Sequence, residues 1–192
     1  MKTVICDIPS WRTHRLGRKT LQVGYPWLTF GAIISLEILL TKEMRVLELG
    51  CGGSTLFFGR RCKEVVSIET DFGWADKTDR ALKFFEIDNV ALHRVLYDDL
   101  VDFLRRDESQ YDVLLVDHVD PTNKLRRHRT DRWIAAREAM NLVKLGGLVV
   151  IDNYDSHGMK NFPYDKWDVF TYDEIAIKYT GRGTRICRKM DG

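Results

Sequence analysis

The sequence has few cysteines and no long apolar run, and both features limit what the protein can be. Its cysteines, Cys6, Cys51, Cys62 and Cys187, form no C-x-x-C pair, and we interpret all four as reduced thiols. No uninterrupted apolar segment is long enough to cross a bilayer, and nothing at the start resembles a secretory signal. We therefore expect a cytoplasmic protein with no membrane partner.

An excess of charge of one sign is also missing. The formal net charge is only +2 over 192 residues. Binding to a nucleic-acid backbone requires a clustered basic face, so no nucleic-acid partner is expected. The length and the hydrophobic content of 44% predict one domain over residues 1–192 with a full core. Residues 1–28 are predicted to form an N-terminal arm whose first part either covers a substrate or is a disordered tail.

The stretch 45–71 is the most informative part of the chain. Val46–Leu49 is typical of a short buried strand, and a glycine-rich turn and a short helical segment follow it. A second apolar strand, Val65–Ile68, ends on Glu69. This βαβ unit predicts a nucleoside site, because the glycines let a ligand approach the backbone and the carboxylate can accept both ribose hydroxyls.

The glycine turn distinguishes between classes of nucleotide. A dinucleotide fingerprint requires G-x-G-x-x-G; Gly50 and Gly52 fit it, but Thr55 takes the third position. No G-K-[ST] is present, so the turn is not a phosphate loop of the ATPase type. Glu48 precedes Gly50 by two residues and gives E-x-G-x-G before a strand that ends in an acid. This pattern resembles the class I, Rossmann-like, S-adenosylmethionine-dependent methyltransferases.

The resemblance implies an S-adenosylmethionine cofactor, which has no pyrophosphate and so needs no third glycine. It also implies that Asp98, after the third predicted strand, accepts the adenine amino hydrogens, although Asp98 and Asp99 also suit a helix N-cap. A nicotinamide cofactor, or a turn that binds nothing, remains an alternative. The implied cofactor-binding residues are Glu48, Gly50, Gly52, Ser54, Thr55, Glu69, Asp98 and Asp117.

Strands that alternate with helices predict an α/β fold with a doubly wound, mostly parallel sheet of the Rossmann-like methyltransferase type. Two further β segments, 167–172 and 184–189, predict a C-terminal antiparallel hairpin, which is the usual ending in the family. The other strands are predicted at 89–96, 111–118 and 148–151. Helices are predicted at 29–40, 74–85, 100–106 and 133–143.

Polar pairs end the fourth and fifth predicted strands. Asp117, Asp152 and Asn153 offer three oxygen donors that suit a hard ion such as Mg²⁺, which would orient an acceptor hydroxyl and lower its pKa. These pairs resemble those of catechol-type, metal-dependent O-methyltransferases. The position of that group's lysine base holds Asp120 here, so His118 is the candidate base beside Asp117. Alternatively, Asp117 only binds the cofactor, His118 packs, and the other pair hydrogen-bonds the next loop.

Four residues are candidates for contact with the acceptor. Trp27 is expected either near the mouth of the cofactor site or in the core, and Asn153 follows the fifth strand. Arg126 and Arg129 belong to a basic run that either binds an anionic substrate or forms a solvated loop. The acceptor is expected to be a small molecule, and a homodimer is one way to close so small a site.

The predicted function is therefore S-adenosylmethionine-dependent methyl transfer to a small molecule, with oxygen as the acceptor atom. An N-P-P-[YF] motif typical of nucleic-acid methyltransferases is absent from the sequence. Two alternatives use the same fold. One is an aminopropyltransferase-like enzyme, in which Asp117 and Asp120 would contribute to an acidic polyamine pocket. The other is a non-catalytic, nucleoside-binding scaffold.

Overall fold

The computed structural model describes residues 20–118, 131–154, 159, 162–172 and 183–190. Predictions for Arg126, Arg129 and residues 1–19 lie outside these ranges. The strands are β1 Arg45–Leu49, β2 Glu64–Glu69, β3 Val90–Arg94, β4 Tyr111–Val116, β5 Val143–Asp152, β6 Trp167–Tyr172 and β7 Thr184–Lys189. The helices are α1 Thr20–Val23, α2 Phe30–Leu39, α3 Gly53–Gly59, α4 Phe72–Phe84, α5 Leu100–Arg105 and α6 Asp131–Asn141.

The strands form one seven-stranded sheet in the order β3-β2-β1-β4-β5-β7-β6. Strands β1 to β5 pair in parallel, whereas β7 runs antiparallel to both β5 and β6. The predicted α/β fold and its C-terminal antiparallel hairpin are therefore confirmed. The strand order reverses between β1 and β4, and parallel sheets bind ligands beyond the strand ends at such a point.

Apolar clusters cover both faces of the sheet. On one face, Val46 and its neighbours pack against α2 and α3, including the fully buried Phe57. On the other, Leu47 and its neighbours pack against α5 and α6, including Leu104. Successive strand residues point to opposite faces, so a strand covered on both sides is apolar at nearly every position. Packing from both sides fixes the carboxyl ends of β1 and β4, where the cavity described below opens.

Strand β5 is longer than predicted. The prediction continued a helix to Val143 and began the strand at Leu148, but β5 already begins at Val143. Tyr111 pairs with Val143 and Val113 pairs with Leu148, so the register shifts and the intervening residues bulge from the ladder. An irregularity of this kind cannot be read from apolar periodicity. None of the described helices has the length and apolar character needed to cross a membrane.

Candidate functional site

A cavity of about 390 Å³ opens at the carboxyl ends of β1, β2 and β4. Small-molecule sites in proteins span about 300–1,000 Å³, so its size suits a nucleoside-sized ligand. The described residues that line it are Thr20, Trp27, Gly50, Cys51, Gly52, Gly53, Ser54, Glu69, Asp71, Trp74, Asp117 and His118. The glycine turn, Glu69 and the Asp117–His118 pair, predicted from separate segments, therefore share one cavity.

Gly50 makes the floor of this cavity possible. Its φ is +95°, and its N–H donates to the Ile68 carbonyl at 2.8 Å. A Cβ at this position would lie 2.8 Å from the backbone nitrogen of His118. Only glycine allows the end of β1 to turn this closely against the end of β4.

The N-terminal segment forms one wall. At Gly53, the first residue of α3, an added Cβ would lie 2.8 Å from the Thr20 Cβ, so the segment is packed directly on the helix start. Trp27 is 40% exposed and lines the cavity, which places it outside the core. The alternative that Trp27 is a core residue is wrong, and its contact with the acceptor stays a prediction.

The carboxylate of Glu69 is already engaged by the backbone. Oε2 accepts from Cys51 N–H at 2.9 Å, and Oε1 accepts from Thr70 and Asp71 N–H at 2.8 and 2.7 Å. Burial raises the pKa of Glu69, while these backbone N–H groups act in the opposite direction. A carboxylate offers about four acceptor positions, so about one remains for a ligand. To accept both ribose hydroxyls, as predicted, Glu69 must release one backbone bond.

Trp74 is a site residue that sequence reasoning missed. The sequence predicts only that it begins a helix, whereas in the structure its indole Nε1–H donates to the Cys51 carbonyl at 2.6 Å. Asp71 caps α4 by accepting the Trp74 N–H at 3.0 Å, which sets Trp74 in the first turn after Glu69. That position was readable from the sequence, because a helix that starts directly after a strand places its first turn at the carboxyl edge of the sheet.

For S-adenosylmethionine, the cofactor that the sequence resemblance implies, we expect Trp74→Phe to weaken binding by about two- to tenfold, the value of one net hydrogen bond. Phenylalanine keeps a ring against Gly52 but cannot hold the Cys51 carbonyl. Calorimetric titration measures the change. Trp167→Phe, on the outermost strand β6, is the matched control and should leave the affinity unchanged. Equal affinity of Trp74→Phe and the wild type would show that the hydrogen bond from Trp74 to the Cys51 carbonyl does not support ligand binding.

Glu48 and Thr55 lie behind the turn. Glu48 is fully buried, and its Oε2 accepts from the Thr55 and Ser67 hydroxyls, each at 2.6 Å. Thr55 Oγ1 in turn accepts from Gly52 N–H at 2.8 Å. Neither Glu48 nor Thr55 is among the described lining residues, so their predicted role in cofactor binding would act through the turn they support. Ser54 does line the cavity.

The polar pairs that end β4 and β5 differ in position. Asp117 and His118 line the cavity, and Asp117 N–H donates to the Leu49 carbonyl at 2.9 Å. Asp152 and Asn153 are 1% and 8% exposed and are not among the described lining residues. Asp98 is exposed on the turn Tyr97–Asp99 and does not line the described cavity either. The predicted roles of these last three residues stay predictions.

The predicted Mg²⁺ site also stays a prediction. The Asn153 amide donates to the Asp152 carboxylate, so a metal bound there would displace or reorient that contact. Within the described residues, no group of three or more His, Cys, Asp and Glu side chains is placed to hold a metal ion. Asn153, the third predicted ligand, is not one of these four residue types.

Comparison by sequence and by structure gives different results. No family model and no curated protein matches the sequence. Solved structures do match. An O-methyltransferase from Bacillus cereus, in complex with S-adenosylhomocysteine, is 16% identical with a TM-score of 0.65, over 97% of this chain and 93% of that one. The O-methyltransferase TomG of tomaymycin synthesis from Streptomyces achromogenes, in complex with S-adenosylmethionine, is 16% identical with a TM-score of 0.65, over 99% and 92%.

An rRNA methylase from Streptococcus thermophilus is also 16% identical, with a TM-score of 0.63 over 83% of this chain and 96% of that one. Identities this low are informative about fold. The strand order and the antiparallel β7 agree with what the resemblance of the stretch Glu48–Glu69 predicted. The chain has the Rossmann-like fold of the class I S-adenosylmethionine-dependent methyltransferases.

Proposed function

We propose that the protein is an S-adenosylmethionine-dependent methyltransferase that methylates a hydroxyl group of a small molecule. The observation that carries the proposal is the cavity of about 390 Å³, in which the glycine turn after β1 meets the buried Glu69 at the end of β2. Solved structures of the same fold hold S-adenosylmethionine or S-adenosylhomocysteine, which supports this choice of cofactor.

The cavity suits this cofactor in shape and charge. Gly50 and Gly52 leave room beside the backbone, and Glu69 keeps an acceptor position for a ribose hydroxyl. The described lining residues include three carboxylates, Glu69, Asp71 and Asp117, and no lysine or arginine, which favours a ligand with a sulfonium cation. The bound cofactor supplies the methyl electrophile, and the protein supplies alignment.

The acceptor half of the proposal relies on the end of β4. Asp117 and His118 line the cavity, and an imidazole can take a hydroxyl proton near neutral pH. A small acceptor is favoured over RNA because a formal net charge of only +2 gives little attraction to a nucleic-acid backbone. Asp98 as the adenine partner and Mg²⁺ at Asp117, Asp152 and Asn153 belong to the same proposal.

Calorimetric titration of S-adenosylmethionine and S-adenosylhomocysteine tests the cofactor. We expect Glu69→Gln to weaken binding at least about tenfold, because hydrogen bonds to charged groups contribute about 1.5–3 kcal/mol. Whichever way the glutamine amide is turned, its NH₂ would also face a backbone N–H of Cys51, Thr70 or Asp71, so that two donors would oppose each other. Repeating the titration with Mg²⁺ and with a chelator tests the metal.

Glu64→Gln is the matched control, because Glu64 lies at the other end of β2 and pairs with Arg45. Its affinity for both ligands should equal that of the wild type. If the wild type binds neither ligand, with or without metal, the proposed function is refuted. If Glu69→Gln binds as tightly as the wild type, the assignment of Glu69 fails.

A further inference from the structure

Arg185 lies at the same sheet edge as the cavity. It is the second residue of β7, and because β7 runs antiparallel to β5 it pairs with Ile151 near the carboxyl end of β5. Ile151 in turn pairs with Val116, the residue before Asp117. Neighbouring strands are about 4.8 Å apart, so the Cα atoms of Arg185 and Val116 are about 10 Å apart. A small organic molecule can span that distance.

Two tyrosine rings and a threonine hold the guanidinium group in place. Its Cζ lies 3.8 Å from the centre of the Tyr154 ring and 4.3 Å from that of Tyr164. Arg185 Nε donates to Thr171 Oγ1 at 3.2 Å. The side chain is half-buried. Its orientation is therefore fixed in advance, which lowers the entropy cost of binding a ligand.

The charge of Arg185 has no acidic partner within 4.0 Å in the described part of the chain. Arg61, by contrast, has an acidic partner. It also stacks on a ring, with Cζ 3.9 Å from the centre of Phe57, but its Nε and Nη2 bond Glu37 at 2.8 and 2.6 Å. A half-buried guanidinium favours an oxyanion, and its planar fork matches carboxylate and phosphate.

We propose that Arg185 is a specificity residue that binds a carboxylate or phosphate group of the methyl acceptor. The inference rests on the proposed function, because it takes the acceptor to lie between the Asp117–His118 pair and β7. The acceptor class is then a small molecule with a hydroxyl group at one end and an oxyanion at the other.

Binding of simple anions tests the inference without knowledge of the acceptor. Dissociation constants for benzoate, phenyl phosphate and inorganic phosphate are measured by ligand-observed NMR, with and without saturating S-adenosylhomocysteine. We expect the wild type to bind benzoate or phenyl phosphate, and Arg185→Gln to bind them at least about tenfold more weakly. Arg188→Gln removes the same charge from an exposed position on β7 and should leave binding unchanged.

Three results would overturn the inference. The first is that the wild type binds neither benzoate nor phenyl phosphate. The second is that Arg188→Gln loses as much affinity for these anions as Arg185→Gln. The third is that inorganic phosphate binds as tightly as phenyl phosphate, which would indicate a site for free anions. Titration of S-adenosylhomocysteine separates the two proposals. Arg185→Gln should bind it like the wild type. If the wild type binds the cofactor product but no organic anion, only the inference about Arg185 fails.

Discussion

Gly50→Ala is expected to destabilise the protein by about 2–5 kcal/mol and to reduce affinity for S-adenosylhomocysteine about a hundredfold or more. A non-glycine residue in left-handed backbone costs about 1–2 kcal/mol, and overpacking a dense site costs about 1–3 kcal/mol more. The φ of Gly50 is +95°, and the new methyl would lie 2.8–2.9 Å from backbone atoms of Asp117 and His118. Backbone atoms cannot rotate away as a flexible side chain can.

The loss of affinity follows from the same displacement. Separating the end of β1 from the end of β4 strains the bond from Asp117 N–H to the Leu49 carbonyl and that from Gly50 N–H to the Ile68 carbonyl. Both bonds fix the floor of the cavity. A hundredfold loss corresponds to about 2.7 kcal/mol, which is within the cost of rebuilding this turn.

Gly146→Ala separates the two causes. Gly146 has a φ of +73° and no atom within 4 Å of an added Cβ, so alanine there tests the backbone strain without the clash. We expect the free energy of unfolding, measured with urea, to fall by about 1–2 kcal/mol and the ligand affinity to stay unchanged. Equal destabilisation by the two substitutions would show that contact with the end of β4 is unimportant.

The sequence predicted the fold well because the strands have unambiguous patterns. Segments 46–49 and 65–68 are apolar except for Glu48 and Ser67 and lie between charged or turn residues, so burial on both faces was readable. The hairpin strands at 167–172 and 184–189 were placed at their observed bounds. The start of β5 was wrong because the glycine pair at 146–147 also fits the end of a helix, and only pairing with β4 identifies it as part of a bulged strand.

The sequence groups the cavity residues that lie at strand ends, but it does not give the contacts that depend on side-chain packing. Parallel strands bring their carboxyl ends to one edge, so Gly50, Glu69 and Asp117 could be grouped from the sequence. The indole bond of Trp74 to the turn, and the position of Glu48 behind it, depend on side-chain directions that periodicity does not specify. An E-x-G-x-G pattern identifies the glutamate but not whether its carboxylate faces the ligand or the core.

The position of Glu48 makes the stability of the protein depend on pH. Burial raises the pKa of this carboxyl from 4.5 to about 7, although hydrogen bonds from Ser67 and Thr55 act against the shift. Because the folded pKa is the higher one, the folded protein binds the proton more tightly than the unfolded chain between these values. Stability therefore falls as pH rises through this window, and the fall levels off above the folded pKa.

Glu48→Gln should remove this dependence. Each pKa unit corresponds to about 1.4 kcal/mol. Through this group, the free energy of unfolding of the wild type should therefore fall by about 3 kcal/mol between pH 4.5 and pH 8. A glutamine oxygen can still accept from Thr55 and Ser67 without carrying charge. We expect the free energy of unfolding of the variant, measured with urea, to equal that of the wild type near pH 4.5 and to exceed it by about 3 kcal/mol at pH 8.

Glu43→Gln, at an exposed position, is the control and should leave the pH profile parallel to that of the wild type. The same variants separate stability from binding. Because the bond from Gly52 N–H to Thr55 does not involve the charge of Glu48, Glu48→Gln should keep its affinity for S-adenosylhomocysteine within about threefold, less than 1 kcal/mol. A large loss of affinity in a stabilised variant would instead mean that the carboxylate itself acts on the ligand, as the sequence pattern alone implies.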